Sequence, residues 1–369
     1  MHKNKGAVYY GAYLKLKQLL NAQTPLSKLY GEESHDEMLF ILVHQTYELW
    51  FKQILHELKS IQLTFQKQHI SAQDMHATVR KLDRIYKIQQ VMQGHLKVLE
   101  TMTPMDFLEF RDLLVPASGF QSVQFREIEI RMGLSTKNRQ GVDRKFFTGR
   151  LSDEDAEQLK AVEKESSLFQ LLQIWLERMP FTTEAHFDFW NAYEKAVQKM
   201  LEEEANLILQ HPAPDPDVKA GQEKALEGTK STFSALFDEE KYLKLQQEGH
   251  FKLSRKALMN ALFILLYRDE PLLQQPFECL NLLMDIDEQF TAWRYSHALM
   301  AQRMLGSKIG TGGSSGHQYL KRTTQNNRVF DDLFNLSTFL LPKAYLPSLP
   351  KNIKDFLNFN IESTSPKLS

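Results

Sequence analysis

Apolar residues recur along this chain at three- and four-residue intervals, while β-branched residues seldom alternate with polar ones. That is the period of a helix face rather than of a strand, so the pattern predicts an all-α fold. One helix is expected to open at Ser34. Ser34 stands at the N-cap, Glu37 three residues later completes a capping-box signature, and Asp36 adds negative charge to the first turn. It continues through Met38-Leu-Phe-Ile-Leu-Val43, Trp50, Phe51, Ile54 and Leu55. Apolar side chains point in nearly every direction there, which predicts a central helix. A more polar helix follows over roughly 71–101, placed at an edge. The next starts at Thr103-Pro104, with threonine as cap, proline in the first turn and Asp106 beside the helix dipole, and is expected to stop at Pro116.

Further along, 134–155 reads as a loop, basic and then acidic, and two helical patterns flank Pro180 within 155–208. The proline-rich run His211-Pro-Ala-Pro-Asp-Pro-Asp217 is a connection. Strongly apolar helices return over 254–306. The pattern thus divides the chain into an N-terminal segment, 1–33; a helical core, 34–149 with 251–345; an appended smaller helical region, 150–250; and a C-terminal tail, 346–369, whose last residues are expected to fray.

Composition narrows the chemistry. The 45 basic and 46 acidic residues nearly cancel, so no nucleic-acid partner is expected. The single cysteine, Cys279, excludes an internal disulfide, a four-cysteine metal site and covalent haem attachment through Cys-x-x-Cys-His. No signal-like N-terminus and no run of about 18 apolar residues is present, which predicts no membrane partner and a soluble, cytoplasmic protein.

Four places could carry chemistry. The first is an apolar stripe, Phe290, Trp293, His297, Met300, Ala301 and Met304, ended by Gly306. A lone histidine there is either a core residue with satisfied ring nitrogens or an axial ligand to haem iron in an apolar slot. The second is His44, on a face shared with Phe40, Tyr47, Phe51 and Leu55. It is either structural or gives one directional hydrogen bond to a planar ligand; zinc is not expected, because His56-Glu57 has no second histidine to complete His-Glu-x-x-His. The third pairs Phe107 with Arg111, one helical turn apart, as a guanidinium fork beside aromatic rings would suit a carboxylate on a flat apolar body. Its alternative is an ordinary surface ion pair. The nearby Ser118 lacks the Gly-x-Ser-x-Gly spacing of a nucleophile elbow. The fourth is Gly310-Thr311-Gly312-Gly313-Ser314-Ser315-Gly316, which fits neither the P-loop nor the dinucleotide fingerprint. It is a plain linker or a backbone that lets a ligand approach closely.

Together these stretches resemble the tryptophan 2,3-dioxygenase family. The resemblance is carried by Tyr10-Gly-Ala-Tyr13-Leu, by HDEMLFILVHQTYELWFKQILHEL from His35, by LETMTPMDFLEFRDLLVPASGFQSVQFR from Leu99, by WRYSHALMAQRMLGSKIGTGGSSG from Trp293 and by FDDLFNLSTFLLP from Phe330, in order along nearly the whole chain. It implies an enzyme with non-covalent haem b, active as Fe(II), that inserts both atoms of O₂ across the indole C2–C3 bond of L-tryptophan, giving N-formyl-L-kynurenine as the first step of tryptophan catabolism by the kynurenine route. It further implies that His297 is the haem iron's axial ligand, with Trp293 and Ser118 beside the cofactor. His44 then lies near the indole N–H, Phe40 and Phe107 wall the substrate, Arg111 pairs with its carboxylate, and Thr311 meets its ammonium and carboxylate. Tyr10 and Tyr13 would reach a neighbouring subunit's pocket in a homotetramer. The chain departs from several bacterial members at Phe107, where they carry tyrosine, and its 150–250 region resembles the longer, animal-like members. A non-catalytic haem sensor would keep His297 but has no need of Arg111 and Thr311.

Overall fold

The computed structural model describes residues 6–134, 151–179, 189–210, 215–306 and 327–357, and among these every regular element is helical. Three short helices come first, α1 (Tyr10–Tyr13), α2 (Leu16–Leu19) and α3 (Leu26–Leu29). The long α4 (His35–Phe65) and α5 (Ala72–Leu99) follow, then α6 (Pro104–Arg111), α7 (Val123–Met132), α8 (Asp153–Val162) and α9 (Leu168–Glu177). The remainder is α10 (Phe189–Gln210), α11 (Pro216–Phe237), α12 (Glu239–Gln247), α13 (Arg255–Leu266), the long α14 (Pro271–Leu305), α15 (Asp331–Asn335) and α16 (Lys351–Leu357). No described helix is long and apolar enough to cross a membrane.

The chain forms two compact units, and the division falls inside α4, α5 and α14. The first unit comprises 1–57, 85–165 and 288–328; the second comprises 58–84, 166–287 and 329–369. In the second unit α13 is buried from Ala257 to Leu266 and packs on α9, where the Asn260 side-chain amide donates to the Leu176 carbonyl at 2.8 Å. In the same unit α10 packs on α11, and the Tyr193 hydroxyl donates to the Phe339 carbonyl. Helices α9 and α13 thus belong to the same compact unit.

The first unit holds the residues of interest. Helix α4 starts where the pattern places it, but the capping box does not form. The Glu37 carboxylate instead accepts the backbone N–H groups of Leu26 (2.8 Å) and Ser27 (2.9 Å) at the start of α3, and the Ser34 hydroxyl donates to Glu109 of α6 at 3.0 Å. Local capping has lost to tertiary anchoring, because a buried carboxylate that collects two N–H donors satisfies orphan groups of a neighbouring helix. Nor is α4 central all round. Val43, Tyr47, Phe51 and Ile54 are buried at helical spacing, whereas Leu42 (43 %) and Leu49 (51 %) stay exposed.

Helix α6 does have its capping box: Thr103 accepts from the Asp106 N–H, and Asp106 accepts from the Thr103 N–H at 2.8 Å. The α-helical turn ends at Arg111, giving way to a 3₁₀ turn over Asp112–Leu114 before Pro116 is reached. Helix α7 is unusual for being buried while charged. Arg126, Glu127, Glu129 and Arg131 are all buried on it, each engaged in an ion pair. At the far end of α14, Gly306 takes a left-handed φ of 59°, which stops the helix as its sequence position suggests.

Candidate active site

Helix α4 contributes Phe40 and His44, one turn apart and on one face, with ring centroids 4.1 Å from each other. Phe40 is the bridge to α6. Its ring is 5.8 Å from Phe107, nearly parallel, and 5.5 Å from Phe110, which meets it edge to face. Arg111 lies one turn beyond Phe107. Its side chain is only 14 % exposed, and the ion pair it makes with Asp112 is a long 3.5 Å contact to a carboxylate that is 87 % exposed. An exposed ion pair of that kind contributes little.

His44 touches open space, yet burial lowers its pKa, and the hydrogen bond to Phe40 and the charge of Glu48 oppose that shift only in part. Both observations are met by a ring open on one side, with protein packed around the rest of it. Burial outweighs both opposing effects, so the imidazole is neutral at physiological pH. Its Nδ1 lies 2.7 Å from the Phe40 carbonyl oxygen. A carbonyl can only accept, so Nδ1 carries the hydrogen and Nε2 keeps a lone pair.

Helix α14 provides the opposite histidine. His297 is held down to about 4, first by burial and then by the positive charge that His44 would carry, so the two imidazoles are close enough to feel one another. Among the described residues neither ring nitrogen of His297 has a hydrogen-bond partner. Beside it stands Trp293, with ring centroids 5.4 Å apart. The rest of the stripe, Met300, Ala301 and Met304, is only half-buried, which fits side chains that line a space rather than fill one.

These features bear on a haem. A single neutral imidazole, an apolar wall of Trp293 and methionines, and a second histidine within electrostatic range suit a flat macrocycle held by one axial ligand. No cluster of three His, Cys, Asp or Glu side chains that could cage a bare metal ion occurs among the described residues. The donor set therefore fits the group.

Of the other expected site residues, Ser118 is half-buried between α6 and α7, its backbone N–H donating to Gln121 Oε1 at 2.9 Å. Tyr10 and Tyr13 are 70 % and 74 % exposed on α1, turned to solvent in the single chain. Thr311 and the glycine-rich run lie outside the described residues. Three further aromatic residues join these side chains: Phe110, Phe125 and Tyr47. Phe125 packs on Trp293 at 5.2 Å and on Phe51 at 5.3 Å. The Tyr47 hydroxyl donates to the Met92 carbonyl at 2.7 Å and accepts from Trp293 Nε1 at 3.4 Å. Helical spacing puts Tyr47 on the His44 face, but nothing in the sequence pairs it with Trp293, 246 residues away.

A family model described as tryptophan 2,3-dioxygenase matches residues 1–340. The tryptophan 2,3-dioxygenase of Alteromonas mediterranea is 48 % identical over 98 % of this chain and 100 % of its own length. That of Bdellovibrio bacteriovorus is 49 % identical over 96 % of this chain and 98 % of its own. The enzyme of Dictyostelium discoideum is 46 % identical, covering 95 % of this chain and 88 % of its own. Because two bacterial relatives align over almost their full length, the 150–250 region is not a mark of animal-like members, as the resemblance had suggested.

Proposed function

The chain belongs to the tryptophan 2,3-dioxygenase family, and from that premise we propose that the histidine-lined hollow of its first unit is where O₂ is added across the indole C2–C3 bond of L-tryptophan, giving N-formyl-L-kynurenine. In this reading a non-covalent haem b is held through His297, flanked by Trp293 and Ser118. Ferrous haem, when bound, supplies the activation of O₂. The protein's own work is then to bind, orient and keep water out.

Arg111 anchors the substrate carboxylate through a two-pronged, charge-assisted hydrogen bond, strengthened because the guanidinium is mostly buried. Thr311 assists at the ammonium and carboxylate, by resemblance to the family. Phe40 and Phe107 flank the flat ring, excluding water from an electron-rich indole that needs no charge complement. His44 Nε2, left with its lone pair by the Nδ1 bond to Phe40, accepts the indole N–H. Its depressed basicity suits a holding role. Indole N–H is far too weak an acid to surrender its proton to such a base, so the hydrogen bond orients the ring without deprotonating it.

The observation that carries this reading is His297: neutral, lacking a hydrogen-bond partner among the described residues, and within electrostatic range of a second imidazole. The exposed Tyr10 and Tyr13, together with the uncovered Leu42 and Leu49 on α4, support a homotetramer in which the N-terminal tyrosines meet a neighbouring subunit. A cytoplasmic enzyme is part of the same proposal. The test is sequential: reduce the hemin-supplemented protein without air, add tryptophan, then O₂, and follow the haem spectrum with product absorbance. N-formylkynurenine should form only with all three, and His297→Ala should lose the five-coordinate ferrous spectrum. Protein that stays colourless, or is coloured yet inert toward tryptophan, would refute the proposal.

A further inference from the structure

We propose that Tyr47 is a positioning residue that couples the helix carrying His44 to the helix carrying His297. It thereby fixes where those two helices sit relative to one another, and with them two imidazoles that lie within electrostatic range of each other. The inference rests on the site reading above and extends it to a residue that touches neither substrate nor cofactor.

Tyr47 lies three positions after His44 on α4, and Trp293 lies four positions before His297 on α14. Each is thus about one helical turn from its histidine. The Tyr47 hydroxyl joins three helices at one oxygen. It donates to the Met92 carbonyl of α5 at 2.7 Å and accepts the Trp293 Nε1–H at 3.4 Å. A phenol has one hydrogen to give and lone pairs to receive with, so both bonds coexist while it stays protonated. Burial pushes its pKa up to about 12, which keeps it so throughout the working range.

The rings reinforce the bond. Tyr47 and Trp293 meet at 5.9 Å and 61°, Phe125 closes on Trp293 from α7, and the His95 ring stands edge-on to Tyr47 at 5.8 Å. Because Trp293 in turn lies against His297, a change in its tilt moves the wall beside that imidazole. The geometry has directional consequences. Arg111, on α6, is not part of this linkage, so loosening Tyr47 should disturb the orientation of the indole more than the capture of the amino acid.

The experiment uses hemin-loaded protein with Tyr47→Phe, Trp293→Phe and both together. Each single variant should lower kcat about three- to tenfold with KM for tryptophan within about twofold. Each should also alter the change that tryptophan induces in the anaerobic ferrous spectrum. The double variant should be no worse than the poorer single variant, since both remove one interaction. Trp293→Phe spares the bond to Met92 and keeps a ring in place, so it tests the coupling even if Tyr47→Phe folds poorly. Wild-type kcat and spectrum in Tyr47→Phe, a loss confined to melting temperature, or effects that multiply in the double variant would overturn the inference. Wild-type protein that binds hemin and tryptophan but forms no product would instead overturn the site reading, and this inference with it.

Discussion

Arg111 and His44 act on different ends of one small molecule, and their variants should differ in kind. Truncating Arg111 leaves a carboxylate without its partner in a largely closed space, a loss on the order of 2–5 kcal/mol in substrate affinity. Arg111→Ala should therefore raise KM steeply, and Arg111→Lys should recover little, because an ammonium cannot reproduce the planar fork. Near-normal tryptophan affinity in Arg111→Ala, measured by binding to the ferrous protein, would contradict the assignment. His44→Ala removes a single neutral hydrogen bond of about 0.5–1.5 kcal/mol, so turnover should drop about three- to tenfold and not vanish. Complete loss of turnover with haem and tryptophan still bound would mean that His44 does obligatory proton chemistry. The His44 tautomer was beyond the reach of the sequence, since it depends on where the Phe40 carbonyl points.

At the scale of elements, α7 carries the clearest energetic commitment. Glu129 accepts from Arg126 of its own helix at 2.6 Å and from Arg294 of α14 at 3.1 Å, with all three side chains buried. Arg294 also donates to the Asn327 carbonyl at 3.1 Å. Removing the carboxylate takes from two buried guanidinium groups their shared counter-charge, and breaking such a buried pair costs about 3–5 kcal/mol. Glu129→Ala should accordingly lower the denaturant midpoint by far more than truncation of an exposed pair such as Lys28 with Glu33. Equal midpoints for the two variants would show that the buried network contributes nothing. The helices themselves were readable from spacing. The start of α6 was read in full, because its cap is local, whereas at α4 the same kind of signature was diverted to α3 and α6.

For the whole molecule, the single chain leaves apolar surface that its own fold does not cover. Tyr9, Tyr10, Tyr13 and Leu20 near the N-terminus, and Leu42 and Leu49 on α4, are exposed. Exposed apolar side chains in such number suit an association surface. Replacing Tyr10 and Tyr13 together with serine should shift the assembly toward smaller species in light scattering and raise KM for tryptophan. A tetramer of unchanged stability with unchanged KM would exclude a role for these rings in a neighbour's pocket. The pattern along α4 was read as that of a centrally buried helix. Its outer face instead carries exposed apolar side chains, Leu42 and Leu49 among them.

What the order of residues determined by itself was everything that depends on near neighbours: the all-helical class, the cap at Thr103, the stop at Gly306, and which side chains share a helical face. The long motifs added the family. What only the tertiary structure decided was pairing between distant segments. It brought Phe40 against Phe107, set His44 within range of His297, linked Tyr47 to Trp293, and turned Glu37 away from its own helix to serve another. The reason is physical. Helix periodicity is a one-dimensional signal, repeated every few residues. A buried carboxylate or hydroxyl takes whichever donor the packed helices present to it, and that choice is made in three dimensions.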